Sequence, residues 1–171
     1  MVSKLKRKLA YSISLVKDGK LKMVWGAFMR RISSEELAFG FKRDLNLKII
    51  KPRSLMKVII REANADDESY FVDDSNDGRI NSFHTCYVAQ DKNLMPCSRL
   101  WLIDSSQNDK LKNAWGDNFP QLVSDEVLIE KVYTIPKYRG MGIFPIFMYE
   151  VSEKGLELGA NYAICFGAVL N

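Results

Sequence analysis

The chain has 171 residues, 47% apolar and 27% charged, with a net charge of +4. That composition fits one folded domain with a short appended segment and excludes a disordered chain, and no apolar run approaches the roughly 20 residues a membrane-spanning helix needs. Three cysteines (Cys86, Cys97, Cys165) and a lone histidine (His84) show no ligand spacing, so neither a metal site nor a disulfide framework is expected, and a reducing cytoplasm fits.

Charge is unevenly spread. Residues 1–31 carry nine Lys or Arg against Asp18 alone, and the rest of the chain is mildly acidic. Leu5, Leu9, Ile13 and Val16 share one helical face; after Asp18-Gly19, Leu21, Val24, Trp25, Phe28 and Ile32 repeat the pattern. Residues 1–50 thus read as a basic amphipathic helical arm ahead of a domain over 51–171. Two readings fit the arm: helices that pack on the body with their lysines in water, or a weak membrane-surface contact through residues 1–31. No nucleic-acid recognition motif accompanies the basic residues. The basic start and residues 9–16 superficially resemble a signal peptide, but no small-residue cleavage site follows.

Residues 35–45 are ambiguous, with 37–41 suiting a strand. Residues 57–63 read as a strand, and Asn64 as the cap of a short helix over 66–73. Residues 73–82 form a loop. Residues 83–91 and 98–105 read as strands joined in a hairpin. Residues 109–122 are helix or irregular linker, and 125–135 a strand. Residues 143–158 form a helix with Phe144, Phe147, Met148 and Val151 on one face and Gly159 at its C-terminal cap. Residues 161–170 close the chain as a strand.

The informative junction joins the strand at 125–135 to the helix at 143–158. Pro136 ends the strand, Arg139-Gly140-Met141-Gly142 makes the turn, and Pro145 sits in the first helical turn, where a missing N–H costs little. The first N–H groups of a helix lack internal partners and, with the helix dipole, favour an anion; glycines let a phosphate approach the backbone. This is neither a Walker loop nor a dinucleotide fingerprint.

Pro136-Lys137-Tyr138-Arg139-Gly140-Met141-Gly142-Ile143, with the helix, Glu157 to Ala160 and a strand after it, resembles the acyl-CoA loop of the GNAT (Gcn-related) N-acetyltransferases. The match is sharp over 126–171 and only compatible over 57–104. It departs at Phe144, where the family has Gly or Ala. The family also continues beyond Asn171 with a helix and two strands, so a truncation, a partner chain completing the sheet, or an open edge on the last strand is expected, and a homodimer is one expected assembly. The resemblance implies an α/β (α+β type) fold with a mixed, mostly antiparallel sheet flanked by helices. It implies N-acetyltransferase activity, with acetyl-CoA or another acyl-CoA as co-substrate, no metal, and the primary amine of a small molecule such as an amino sugar or amino acid as acceptor. The flanking pattern looks most like members found among bacterial surface-polysaccharide genes. Alternative readings are a non-catalytic acyl-CoA or acyl-carrier binding module and a membrane-surface long-chain N-acyltransferase.

The resemblance also implies site residues. Val132, Tyr133 and Thr134 would meet the pantetheine arm where two strands part. Arg139, Gly140, Met141, Gly142, Ile143 and Phe144 would hold the diphosphate, and Asn171 falls where a further contacting segment begins. Glu130 is the first candidate for the base, four residues before Thr134 on one strand face, and Glu126 the second. His84 is a third candidate, though alternation with Cys86 and Val88 points it toward the core.

Overall fold

The structure is a computed structural model that describes residues 38–72, 83–116, 119 and 121–168. The expected helices before residue 33, the loop over 73–82 and Asn171 lie outside the described residues. The chain divides into two compact units: Met1–Ala38 with Ala168–Asn171, and Phe39–Gly167. The second carries nearly everything described here.

Six strands form one sheet: β1 (Ala38–Asp44), β2 (Ile59–Glu62), β3 (Cys86–Gln90), β4 (Pro96–Asp104), β5 (Glu126–Thr134) and β6 (Tyr162–Ala168). Their order is β1-β6-β5-β4-β3-β2. The β2/β3, β3/β4 and β4/β5 pairs are antiparallel and β5/β6 is parallel. The fold is therefore α+β with a mixed, mostly antiparallel sheet. Among the described residues two α-helices accompany it, α1 (Asn108–Trp115) and α2 (Ile143–Glu157). The β5–α2–β6 unit is the one parallel crossover among these pairings, and a helix is its usual connector.

Alternation in the strands supplies a core on each sheet face. Val127 and Ile129 of β5 pack with Ile143, Phe147 and Val151 of α2. Leu128 points the other way and joins Trp101, Ile103, Leu111 and Phe83. There Phe83 stacks on Trp115 at 5.6 Å, and Trp115 on Phe119 at 5.2 Å. β4 is covered on both faces, which suits the near-continuous apolar run from Leu100 to Ile103.

Local signals hold where they rest on backbone chemistry. Asn64 accepts from the Asp66 and Asp67 amides and Asp67 bonds back to the Asn64 N–H, forming a capping box, although the helix after it is a 3₁₀ turn over Ala65–Tyr70. Gly159 takes φ +86°, and the Ala160 N–H donates to Gly155 O at 3.0 Å, the closure that ends α2.

Three expectations need correction. Residues 38–44, within the arm expected over 1–50 although 37–41 also suit a strand, are strand β1 at one edge of the sheet. The last strand consequently has no open edge on that side, because β1 lies beside β6. Phe144 does not share the buried face of α2: it is 53% exposed, while Ile143, Ile146, Phe147, Val151 and Gly155 are buried. It sits in the first turn of the helix, beside the glycine bend.

Gly155 is where α2 comes nearest β5. A Cβ there would lie 2.8 Å from Val127 Cγ2 and 3.3 Å from Leu45 Cδ1. Val127 is stiff at χ1 and cannot swing aside. Gly155→Ala should therefore destabilise the fold by about 1–3 kcal/mol through overpacking, despite the better helix propensity of alanine, as read from the urea midpoint.

Candidate functional site

β5 and β6 begin as partners and then part. Their parallel register runs from Glu126↔Tyr162 to Ile129↔Cys165, and among the described residues no β5/β6 pair follows, although β5 continues to Thr134. β5 changes character at the same point. Its register with β4 moves from Trp101↔Glu130 to Arg99↔Tyr133, so β5 carries one extra residue. That bulge includes Lys131, a non-glycine residue at φ +50°. A left-handed conformation costs an L-residue roughly 1–2 kcal/mol, so packing holds the backbone there against its preference.

The bulge decides which peptide groups face the gap. The Tyr133 carbonyl accepts from Ser98 Oγ at 2.8 Å, and the Ile135 N–H donates to Cys97 O at 3.0 Å. Alternation then turns the peptide groups of Val132 and Thr134 away from β4, toward the parted edge. The Thr134 carbonyl there accepts from Arg139 Nε at 3.0 Å.

A 3₁₀ turn over Pro136–Tyr138 leads into the glycine bend. Gly140 and Gly142 take φ +78° and +73°, and α2 starts at Ile143. The N–H groups of Gly140, Met141, Gly142, Ile143 and Phe144 have no protein acceptor among the described residues. Gly140, Gly142, Ile143 and Phe144 line, with Thr134, Tyr138, Arg139 and Pro145, a crevice of about 450 Å³. Pro145 also borders a second cavity of about 230 Å³, lined by Ile129, Cys165, Met148 and Tyr149 at the parting of the strands. The bend is supported from the other side: the Leu55 N–H donates to Met141 O at 2.9 Å.

Arg139 differs from expectation in one respect. Its backbone N–H donates to Pro136 O at 3.2 Å and is occupied. Its guanidinium lies 5.7 Å from the Tyr133 ring centroid and is tethered to Thr134 O, so a positive charge is held at the crevice mouth.

The three candidate bases are not brought together. Glu130 is half-buried beside the parting, opposite Trp101. Burial pushes its carboxyl up, only partly offset by the Lys131 N–H and the Lys131 charge. Burial also raises the Cys165 thiol, with a further push from the Glu130 charge, which ties Glu130 to the end of the β5/β6 pairing. Glu126 sits at the far end of β5. Burial pushes its carboxyl up, but Lys42 at 2.7 Å and the Val123 N–H outweigh that and hold it below the usual range. His84 is exposed and precedes β3 rather than facing the core, with Nε2 2.6 Å from Lys110 Nζ. The strand pattern had carried it inward because β3 was read as starting at Phe83.

Arg99 was missed. It is 2% exposed, 2.7 Å from Glu68, with its guanidinium 4.8 Å from the Phe71 ring centroid and 5.0 Å from that of Trp101. These residues border a hollow of about 200 Å³ on the sheet face that also carries Glu130. The available signal was an arginine at an inward position of an apolar strand, since a buried cation requires partners. Among the described residues no cluster of three or more His, Cys, Asp or Glu side chains has metal-holding geometry, and no helix is long and apolar enough to cross a membrane.

No family model and no curated protein sequence matches the chain. Among solved structures, one neighbour is a crystal structure described as a "putative phosphinothricin N-acetyltransferase". It aligns at 15% identity with a TM-score of 0.41, over 61% of this chain and 68% of that one.

Two predictions follow from the local geometry. A Cβ on Gly142 would come 2.9 Å from Arg53 O, whereas one on Gly140 meets nothing within 4 Å. Gly140→Ala should cost only the left-handed penalty of about 1–2 kcal/mol, and Gly142→Ala measurably more, in parallel denaturation curves. Glu130 has a raised carboxyl in the folded state, so its contribution to stability is complete below the ordinary carboxylate range and is lost as pH rises through the folded value. Glu130→Gln should therefore gain stability relative to the native protein as pH climbs from 4 to 8, with the two converging at the acid end in Tm measurements.

Proposed function

We propose that the chain is an acyl-CoA-dependent N-acyltransferase of GNAT type, transferring an acetyl group from coenzyme A to a primary amine of a small molecule. The observation that carries this reading is the continuity of three features. Unpaired N–H groups at the glycine bend adjoin the gap where β5 leaves β6, and a half-buried carboxylate of raised pKa stands at the end of that gap.

Each part has a chemical task. The N–H groups from Gly140 to Phe144 and the positive end of α2 would receive the diphosphate, with Arg139 adding charge at the rim. The parted edge of β5 offers Val132 and Thr134 backbone groups to an extended arm, as an added strand would use them. The thioester supplies the activated acyl group. An N–H of β5 directed at its carbonyl oxygen would stabilise the charge that develops as the amine nitrogen attacks.

The amine must be neutral to attack. Glu130 takes its proton, the new C–N bond forms, the C–S bond breaks, and the thiolate leaves with the bonding pair. Desolvation raises the proton affinity of Glu130, which favours that transfer. Glu126 is held as a carboxylate by Lys42 and is a poorer base. The acceptor would approach on the Glu130 face, where Trp101, Phe71 and the Arg99–Glu68 pair border the hollow.

Acetyl-CoA at a hundredfold excess over its Kd should stabilise the protein by about 2.7 kcal/mol in a thermal-shift titration. With a panel of primary amines, Glu130→Gln should lower kcat about 10²–10⁴-fold while leaving acetyl-CoA affinity intact, and should erase the acid limb of the pH profile. Failure of acetyl-CoA and CoA alike to shift the melting curve would remove the reading. Binding without turnover on any amine would reduce it to a carrier module.

A further inference from the structure

On the opposite flank of α2 from the strand gap, the irregular segment 51–58 runs against the glycine bend. Its Leu55 N–H donates to Met141 O, and the Arg53 carbonyl lies 2.9 Å from where a Cβ on Gly142 would sit. Between this segment and α2 lies a groove of about 600 Å³, bordered by Lys51, Arg53, Lys57, Ile146, Glu150 and Lys154. It holds four cations against one carboxylate. Ile146, Glu150 and Lys154 recur at four-residue steps, so the groove follows one face of α2 for about two turns, roughly 12 Å, from the end that carries the bend.

The four cations are not equivalent. Lys51 is paired with Glu150, and Lys154 lies 2.9 Å from Glu157. Arg53 and Lys57 are exposed and have no carboxylate partner among the described residues. A fold seldom aims two unpaired cations into one groove for stability, because like charges repel and exposed pairs contribute little. Their backbone is nonetheless fixed against the bend by the Leu55–Met141 hydrogen bond.

We propose that Arg53 and Lys57 bind a phosphate monoester, the 3′-phosphate of the coenzyme whose diphosphate would occupy the neighbouring bend. This rests on the acyl-CoA reading above and adds a specificity determinant to it. The segment between β1 and β2 then selects coenzyme A over ligands that lack the third phosphate. A dianionic monoester suits this groove: one planar guanidinium and one ammonium can share its three oxygens, and the open groove leaves the remaining charge in water.

The test is isothermal titration of the native protein and of the Arg53→Gln/Lys57→Gln double variant with CoA and with 3′-dephospho-CoA. The native protein should bind dephospho-CoA about five- to tenfold more weakly than CoA, with the difference shrinking in high salt. The double variant should bind CoA about as weakly as dephospho-CoA and leave dephospho-CoA affinity unchanged. Lys57→Arg, which keeps the charge, should retain the preference. Equal native affinity for the two ligands, or an equal loss on both in the double variant, overturns the assignment and leaves the acyl-CoA reading standing. Absence of binding by either ligand to the native protein overturns both.

Discussion

The arrangement depends on β5 and β6 pairing for four residues and then separating. Up to Ile129↔Cys165 they are ordinary parallel neighbours; beyond it β5 is bent by an extra residue and keeps only its β4 partner on one side. A parallel pair must be joined by a crossover, and α2 is that crossover, packed on both strands. The start of α2 therefore lies close to the place where the sheet opens. Peptide groups of β5 face the opening, the free N–H groups of α2 stand at its mouth, and Glu130 occupies the last position before the bend in β5.

Support for this opening comes from elements that carry no chemistry of their own. Gly155 lets α2 approach Val127 so closely that the helix axis is fixed against β5. Residues 53–55 brace the glycine bend from behind and satisfy the Met141 carbonyl, leaving the amide side of the bend facing the crevice. The Ser98 hydroxyl lies between the Tyr133 carbonyl and Thr134 Oγ1, at 2.8 and 3.0 Å, and so fixes the phase of β5 after the bulge. The parted edge is thus held in place by hydrogen bonds on the side of β5 that faces β4.

The legible parts of this protein were those written in local chemistry. The passage from β5 to α2 showed itself through a change of period, two glycines that need left-handed backbone, and a proline at each end. The Asn64 cap and the Gly159 stop were equally local. What escaped depended on partners distant in sequence. β1 stays ambiguous in sequence, inside the arm assigned to 1–50 although 37–41 suit a strand, because its alternating Phe39 and Phe41 are both exposed and its neighbour β6 lies more than a hundred residues away. The bulge was invisible because its left-handed residue is Lys131, not Gly or Asn. Arg99 looked like one charge in an apolar strand, and only the fold brings Glu68, Phe71 and Trp101 around it. The separation of Glu130 from Glu126 likewise came from Lys42, supplied by β1.

The position of β1 has a consequence for how the protein is made. It is the first strand of the sheet to leave the ribosome, and β6, its neighbour among the described strands, is the last. Throughout synthesis of the intervening residues, the exposed phenylalanines of β1 have no sheet to join. Closing so long a loop is slow, and a waiting edge strand is open to wrong pairing. Completion of the strand gap is therefore among the final events of folding, so nascent or C-terminally shortened chains would retain the β2–β5 antiparallel sheet while lacking the crevice beside it.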